Sequence, residues 1–221
     1  MESCIINPYQ TKHKLNDIEV ISNNNAFVSK ITQFILPDEA KYLMDKAHSL
    51  GLHKSTVVGD NGEMENSPGR TSSTAFLPKN EDDIITCIEN RISAIANESR
   101  DKLEPLQVTV YKKKEKYDSH HDWFHDIKPG DGQRTKTVFT YLKGLENDGG
   151  EICGGATAFP KLKNENNEVL RVYPVSGDAV MWSNVTFDGN GNDYTLHGGE
   201  EVLCEGATKF GLNAWFRDTK W

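Results

Sequence analysis

From Leu103 onward the chain breaks into short runs of alternating apolar and polar residues, and this pattern limits the possible architectures more than any other feature. Alternation of period two places successive side chains on opposite faces of a strand. The runs fall at 106–112, 117–123, 136–143, 156–159, 169–173, 179–183, 194–197 and 207–217. Turn-forming clusters separate them: Pro129-Gly130-Asp131-Gly132, Asn147-Asp148-Gly149-Gly150, Ser176-Gly177-Asp178 and Asp188-Gly189-Asn190-Gly191-Asn192. About eight short strands behind a helical N-terminal third predict an α+β, mainly β domain, a jelly roll with helices buttressing one sheet.

The helical third follows from two apolar stripes. Leu36-Pro37-Asp38 opens the first, with Ala40, Leu43, Met44, Ala47 and Leu50 at helical spacing and Gly51 as its stop. The second starts near Asn80-Glu81-Asp82-Asp83 and carries Ile84, Ile85, Ile88, Ile92 and Ile95. Ala26–Ile35 reads as a strand, and residues 1–25 as a loosely tied lead-in to a single domain over 26–221. Between the helices Val58–Arg70 is polar, glycine-rich and without period, a surface connector or a lid over a cleft.

At 221 residues the chain can bury a substantial core, and 36% hydrophobic with 26% charged residues is an ordinary globular composition. The formal charge of −8 argues against nucleic acid as the main partner. No apolar run approaches the roughly 18 residues of a membrane helix. The first residues lack a secretory core, which predicts a cytoplasmic protein unless the N-terminus has been trimmed. Cys4, Cys87, Cys153 and Cys204 have no zinc spacing, and we expect them to be mostly free thiols.

Chemistry concentrates in Tyr111–Phe124, YKKKEKYDSHHDWF. On an extended backbone His120 and Asp122 share a face while His121 and His125 look away. An imidazole beside a carboxylate is two-thirds of the 2-His-1-carboxylate set of non-haem Fe(II) oxygenases. Of the other histidines, His13, His48 and His53 fall in surface segments, which leaves His197 at the head of a late strand. Taken alone, a His-x-Asp pair is common on protein surfaces. Lys209 adds weight: it stands 12 residues beyond His197 in the apolar, aromatic run Thr208–Arg217. A lysine buried there must meet an anion, and a dicarboxylate co-substrate would supply one.

Taken together these segments resemble the 2-oxoglutarate-dependent prolyl 4-hydroxylases, in particular small collagen-type enzymes of algae, plants and large DNA viruses. The similarity runs from about Phe34 to Arg217. It rests on Arg70-Thr71-Ser72, Tyr111 with Tyr117–Phe124, Arg134 leading to Thr140-Tyr141-Leu142, Gly154–Pro160, Gly177-Asp178-Ala179, His197-Gly198-Gly199, and Lys209 with Trp215. The resemblance implies a double-stranded β-helix core over about 103–217, with Fe(II) on His120, Asp122 and His197. It implies that Lys209 pairs with the distal carboxylate of 2-oxoglutarate beside Tyr111 and Thr157. Tyr117, Arg134 and Trp215 match positions that line the peptide site, although core packing accounts equally well for Tyr117 and Trp215, and a surface charge after a loop for Arg134. It further implies O2 as co-substrate, ascorbate as reductant, and a monomer that hydroxylates collagen-like or proline-rich polypeptide, releasing succinate and CO2. Two alternatives remain: a related 2-oxoglutarate oxygenase acting on another residue or a signalling protein, and a non-enzymatic cupin-like binding module. The chain departs from the family in a longer interval between His197 and Lys209, a missing Cys-Pro after His197, and a short loop from Asp122 to Arg134.

Overall fold

The structure is a computed structural model that describes residues 3–4, 18–58, 64–127, 130, 132–145 and 153–221. Pro37 at the first turn and acidic Asp38 and Glu39 start α1 (Pro37–Leu50), and Gly51 ends it with φ 88°, a conformation open to glycine without a Cβ penalty. The Asp82 side chain caps α2 (Asp83–Ala96) by accepting from the Ile85 N–H at 2.8 Å. Among the described residues fourteen strands accompany them. The first six are β1 (Ile18–Ser22), β2 (Val28–Ile31), β3 (His53–Lys54), β4 (Val57–Val58), β5 (Met64–Glu65) and β6 (Ser73–Leu77). Beyond α2 come β7 (Leu106–Lys112), β8 (Tyr117–His120), β9 (Arg134–Lys143) and β10 (Thr157–Lys163). The last four are β11 (Val169–Val172), β12 (Ala179–Ser183), β13 (His197–Gly199) and β14 (Thr208–Arg217).

The strands form an eight-stranded sheet in the order β1-β2-β12-β9-β14-β7-β6-β3, a four-stranded sheet β11-β10-β13-β8, and the hairpin β4-β5. Every strand pair within them is antiparallel. Alternation sorts the side chains of the large sheet. Val138 and Leu142 of β9 belong to a buried cluster with Leu43 and Ala47 of α1 and Ile85, Ile88 and Ile92 of α2. The intervening Phe139 and Tyr141 join Phe159 and Leu162 of β10, Leu170 of β11 and Trp182 of β12 in a second cluster between the sheets. Each inward apolar side chain is worth about 1.5–3 kcal/mol of burial, so the two clusters fix which face of each strand is which.

The expected helices and the strand at 179–183 lie where the sequence pattern puts them, while several other expectations need correcting. The lead-in is not loose at either described part. Ile18–Ser22 is a strand paired to β2, and Cys4 is disulfide-bonded to Cys87 of α2 with Cα atoms 5.6 Å apart. The Cys4 N–H also donates to Glu39, which the Arg91 guanidinium holds through contacts of 2.6 and 2.7 Å. Cys153 and Cys204 form a second disulfide, so no described cysteine is a free thiol. Both pairings join residues distant in sequence, which spacing alone cannot reveal. Part of the polar connector is ordered as the β4-β5 hairpin. Its segment 59–63, His13 and the turn at 147–150 lie outside the described residues. No described helix is long and apolar enough to cross a membrane.

Candidate active site

The two sheets meet around a cavity that β13 and β8 line on one side. In their register His197 stands directly opposite His120, which brings the two rings to 4.5 Å. Asp122 joins them in a different way from the expected shared strand face. β8 ends at His120, and Asp122 sits on a bend two residues later, almost fully buried. Its Oδ1 lies 3.7 Å from His120 Nε2 and its Oδ2 3.7 Å from His197 Nε2. One potential ligand atom from each residue lies within 4.8 Å of the other two.

Backbone carbonyls set the imidazole tautomers. His120 Nδ1 is 2.8 Å from the Asp118 carbonyl and His197 Nδ1 is 2.9 Å from the Thr195 carbonyl. A carbonyl only accepts, so each Nδ1 carries the hydrogen and each Nε2 lone pair faces Asp122, the arrangement that metal-binding histidines use. Burial holds the His197 ring at about 4, which keeps it neutral at pH 7. Burial alone would raise the Asp122 carboxyl, yet the attraction it would feel from His197 and His120 in their protonated forms, and from Arg134, outweighs burial and holds the group well below the usual carboxylate range, so it is the aspartate and not the imidazoles that carries the charge. Two imidazole nitrogens and one ionised oxygen therefore converge, a donor set that fits a divalent transition metal such as Fe(II). The strand expected at 194–197 begins later than its pattern suggests. Asn192 caps a short 3-10 turn over Asp193–Thr195, and extended structure resumes at His197.

Lys209 enters the same cavity from β14 and is 1% exposed. Its Nζ donates to the Gly155 carbonyl at 2.7 Å and lies 4.5 Å over the ring of Tyr111, its register partner on β7. Burial lowers the amine from 10.5 to about 7, partly offset by Glu200. Lys209, Asn213 and Trp215 line the cavity, while the alternate residues Phe210, Leu212 and Ala214 join the helix-side cluster. Thr157 is buried on β10 with its Oγ1 2.7 Å from the Tyr141 hydroxyl, which also reaches the Val172 carbonyl at 2.9 Å.

The residues matched to a peptide site are arranged unequally. Tyr117 stacks on His120 at 3.7 Å with planes 19° apart, and Trp215 forms part of the wall. Arg134 stands behind that wall: its guanidinium is 3.9 Å from the Trp215 ring and makes two 2.7 Å bonds to the Glu104 carboxylate. His121 turns away to Asp193, as alternation predicts. Three further residues take part: Trp182 is one of the aromatics that the sequence offers for a peptide groove, while Arg70 and Thr137 are not marked out there as site residues. Arg70 lies 4.6 Å over Tyr117, Trp182 packs 4.6 Å from His197, and Thr137 donates to Asp122 Oδ2 at 2.7 Å. Arg70 stood in a segment matched to the family but carried no spacing signal of its own.

Comparison with known proteins agrees with this geometry. Residues 106–217 match the model of the 2OG-Fe(II) oxygenase superfamily. Over 214 residues the chain is 34% identical to prolyl 4-hydroxylase 2 of Arabidopsis thaliana, covering 91% of this chain and 68% of that protein. It is 35% identical over 201 residues to the probable prolyl 4-hydroxylase 10 of the same plant, covering 83% and 66%. The chain thus spans about two thirds of the length of these relatives. Its fold is similar to that of a viral collagen prolyl hydroxylase from Paramecium bursaria Chlorella virus-1 in complex with 2-oxoglutarate, with TM-score 0.66, 24% identity, and 87% of this chain and 96% of that one covered. It is also similar to a Trichoplax adhaerens prolyl hydroxylase bound to a hypoxia-inducible factor peptide, with TM-score 0.58, 17% identity and coverage of 86% and 83%. A superfamily match over the strands that carry the site, joined to identity of about a third along nearly the whole chain, places it: the protein belongs to the prolyl 4-hydroxylase family of 2-oxoglutarate- and Fe(II)-dependent dioxygenases.

Proposed function

We propose that the chain is a prolyl 4-hydroxylase that inserts one atom of O2 at C4 of a peptidyl proline and the other into succinate, with loss of CO2 from 2-oxoglutarate. The substrate is collagen-like or other proline-rich polypeptide. The observation that carries this reading is the convergence of His120, Asp122 and His197 in one cavity with the buried amine of Lys209. Bound Fe(II), with 2-oxoglutarate and O2, supplies the oxidising power that acid-base groups lack.

The residues have separable tasks. His120, Asp122 and His197 hold the metal through two imidazole nitrogens and one charged oxygen. Lys209 takes the distal carboxylate of 2-oxoglutarate, with the Tyr111 ring against its ammonium and Thr157 beside it. Tyr117 and Trp215 offer flat aromatic faces on which a stiff polyproline II segment can lie, with Arg134 behind Trp215 to orient its ring. The buried walls exclude water from the reacting centre. We assign the two facing sheets to a double-stranded β-helix core buttressed by α1 and α2, within one domain over 26–221.

The test is incubation with Fe(II), 2-oxoglutarate and a panel of Pro-Pro-Gly, Ser-Pro and single-proline peptides, read by mass spectrometry for hydroxyproline and by assay for succinate. Hydroxyproline matched by succinate is the expected result. Succinate with a product on another residue would reassign the substrate, and no succinate with any peptide would overturn the proposal.

A further inference from the structure

Asp122 is the one member of the triad that no strand ladder holds, so something else must aim its carboxylate. The buried neighbourhood contains a two-residue chain of hydrogen bonds that does so. Thr137 Oγ1 is 2.7 Å from Asp122 Oδ2, and Asn184 Nδ2 is 2.9 Å from the same Thr137 oxygen. Thr137 and Asn184 are both completely buried.

The direction of the chain follows from what each group can do. An amide nitrogen has only hydrogens to give, so Thr137 Oγ1 accepts from Asn184. Its single hydrogen is then committed to Asp122 Oδ2, which as a carboxylate only accepts. Both supports are rigid. Thr137 lies in β9 in register with Trp182 on one side and Trp215 on the other. The Asn184 N–H donates to the Thr135 carbonyl at 2.8 Å, and its own carbonyl accepts from the Asn192 N–H at 2.9 Å.

Resting on the metal reading above, we propose that Asn184 and Thr137 form a positioning relay that occupies Asp122 Oδ2 and presents Oδ1, the oxygen nearer His120, as the metal-binding atom. Neither residue touches the reacting groups. Outer partners of this kind are worth about tenfold to a hundredfold in metal affinity.

The experiment measures Mn(II) affinity by the loss of free-ion electron paramagnetic resonance signal, alongside thermal melting of the metal-free protein. Thr137→Val keeps the shape and removes the hydroxyl, and is expected to weaken Mn(II) about tenfold or more. Thr137→Ser restores the hydroxyl and with it the affinity. Asn184→Asp keeps the shape but accepts the Thr137 hydrogen instead of donating, and weakens Mn(II) as Thr137→Val does. Wild-type affinity in Thr137→Val and Asn184→Asp, or failure of Thr137→Ser to recover it, overturns the relay while leaving the metal site intact. Wild-type protein that takes up no Mn(II) overturns the metal reading and the relay together.

Discussion

Replacing Lys209 with methionine separates a stabilising ligand contact from a destabilising buried charge. The amine is 1% exposed and has the Gly155 carbonyl as its hydrogen-bond acceptor. Burial brings it from 10.5 in the unfolded chain to about 7 in the fold. Below pH 7 both states are protonated and the fold carries the full cost of the charge. Between about 7 and 10.5 the unfolded chain binds one more proton than the folded one, so stability rises with pH. The difference, 10.5 less about 7, at about 1.4 kcal/mol per pH unit gives a gain of roughly 5 kcal/mol by pH 10.5. In Lys209→Met this rise is absent, and near pH 6 the variant is more stable than wild type because a desolvated charge has gone. Binding of 2-oxoglutarate behaves oppositely. Loss of a buried charge partner costs about 2–5 kcal/mol, a weakening on the order of thirtyfold to several thousandfold. Urea unfolding from pH 6 to 10 and calorimetric titration of 2-oxoglutarate into Mn(II)-loaded protein measure the two effects. Equal pH dependence of stability in both proteins would refute the buried-amine reasoning, and undiminished 2-oxoglutarate affinity would refute the anchor.

Other consequences can be checked singly. His120→Ala should abolish turnover and Mn(II) uptake with little change in melting temperature, because that side chain is partly exposed at the cavity rim. Reducing the Cys4–Cys87 and Cys153–Cys204 bonds, which span 83 and 51 residues, should each remove about 4 kcal/mol on a chain-entropy basis, read as the fall in stability on adding dithiothreitol. Glu104 is buried between Arg134 and Arg217, so Glu104→Ala should cost about 3–5 kcal/mol in urea unfolding and raise the peptide KM by freeing the guanidinium behind Trp215.

The parts of the molecule that were legible in its sequence are those where one side chain's surroundings repeat with a period. The isoleucine stripe of α2 and the alternation of β7 and β14 needed only spacing, and Lys209 stood out as a charge in an apolar run. His120 and Asp122 were identified correctly as neighbours for an incorrect reason. The strand stops at His120, and it is Thr137, fifteen residues on, that holds the carboxylate in place. Nothing distinguishes that threonine, or Asn184, from any polar residue in a strand until the sheet places them together. The cysteines were expected to be mostly free because four in a chain of 221 residues are too few for a disulfide scaffold, and only the fold brings the partners, 83 and 51 residues apart, within bonding distance. Their observed pairing tethers the N-terminus to α2 and closes the loop that carries Gly155.

β14 carries both the helix-side core and the Lys209–Trp215 wall on a single backbone, with irregular register against β9 at Phe210/Gly211 and Phe216/Arg217. A slip of one residue would drive Lys209 into the apolar layer and turn Phe210 toward the cavity, so misalignment would cost cohesion and catalysis in the same event. The packed core and the site wall thus depend on one and the same alignment of β14 against β9.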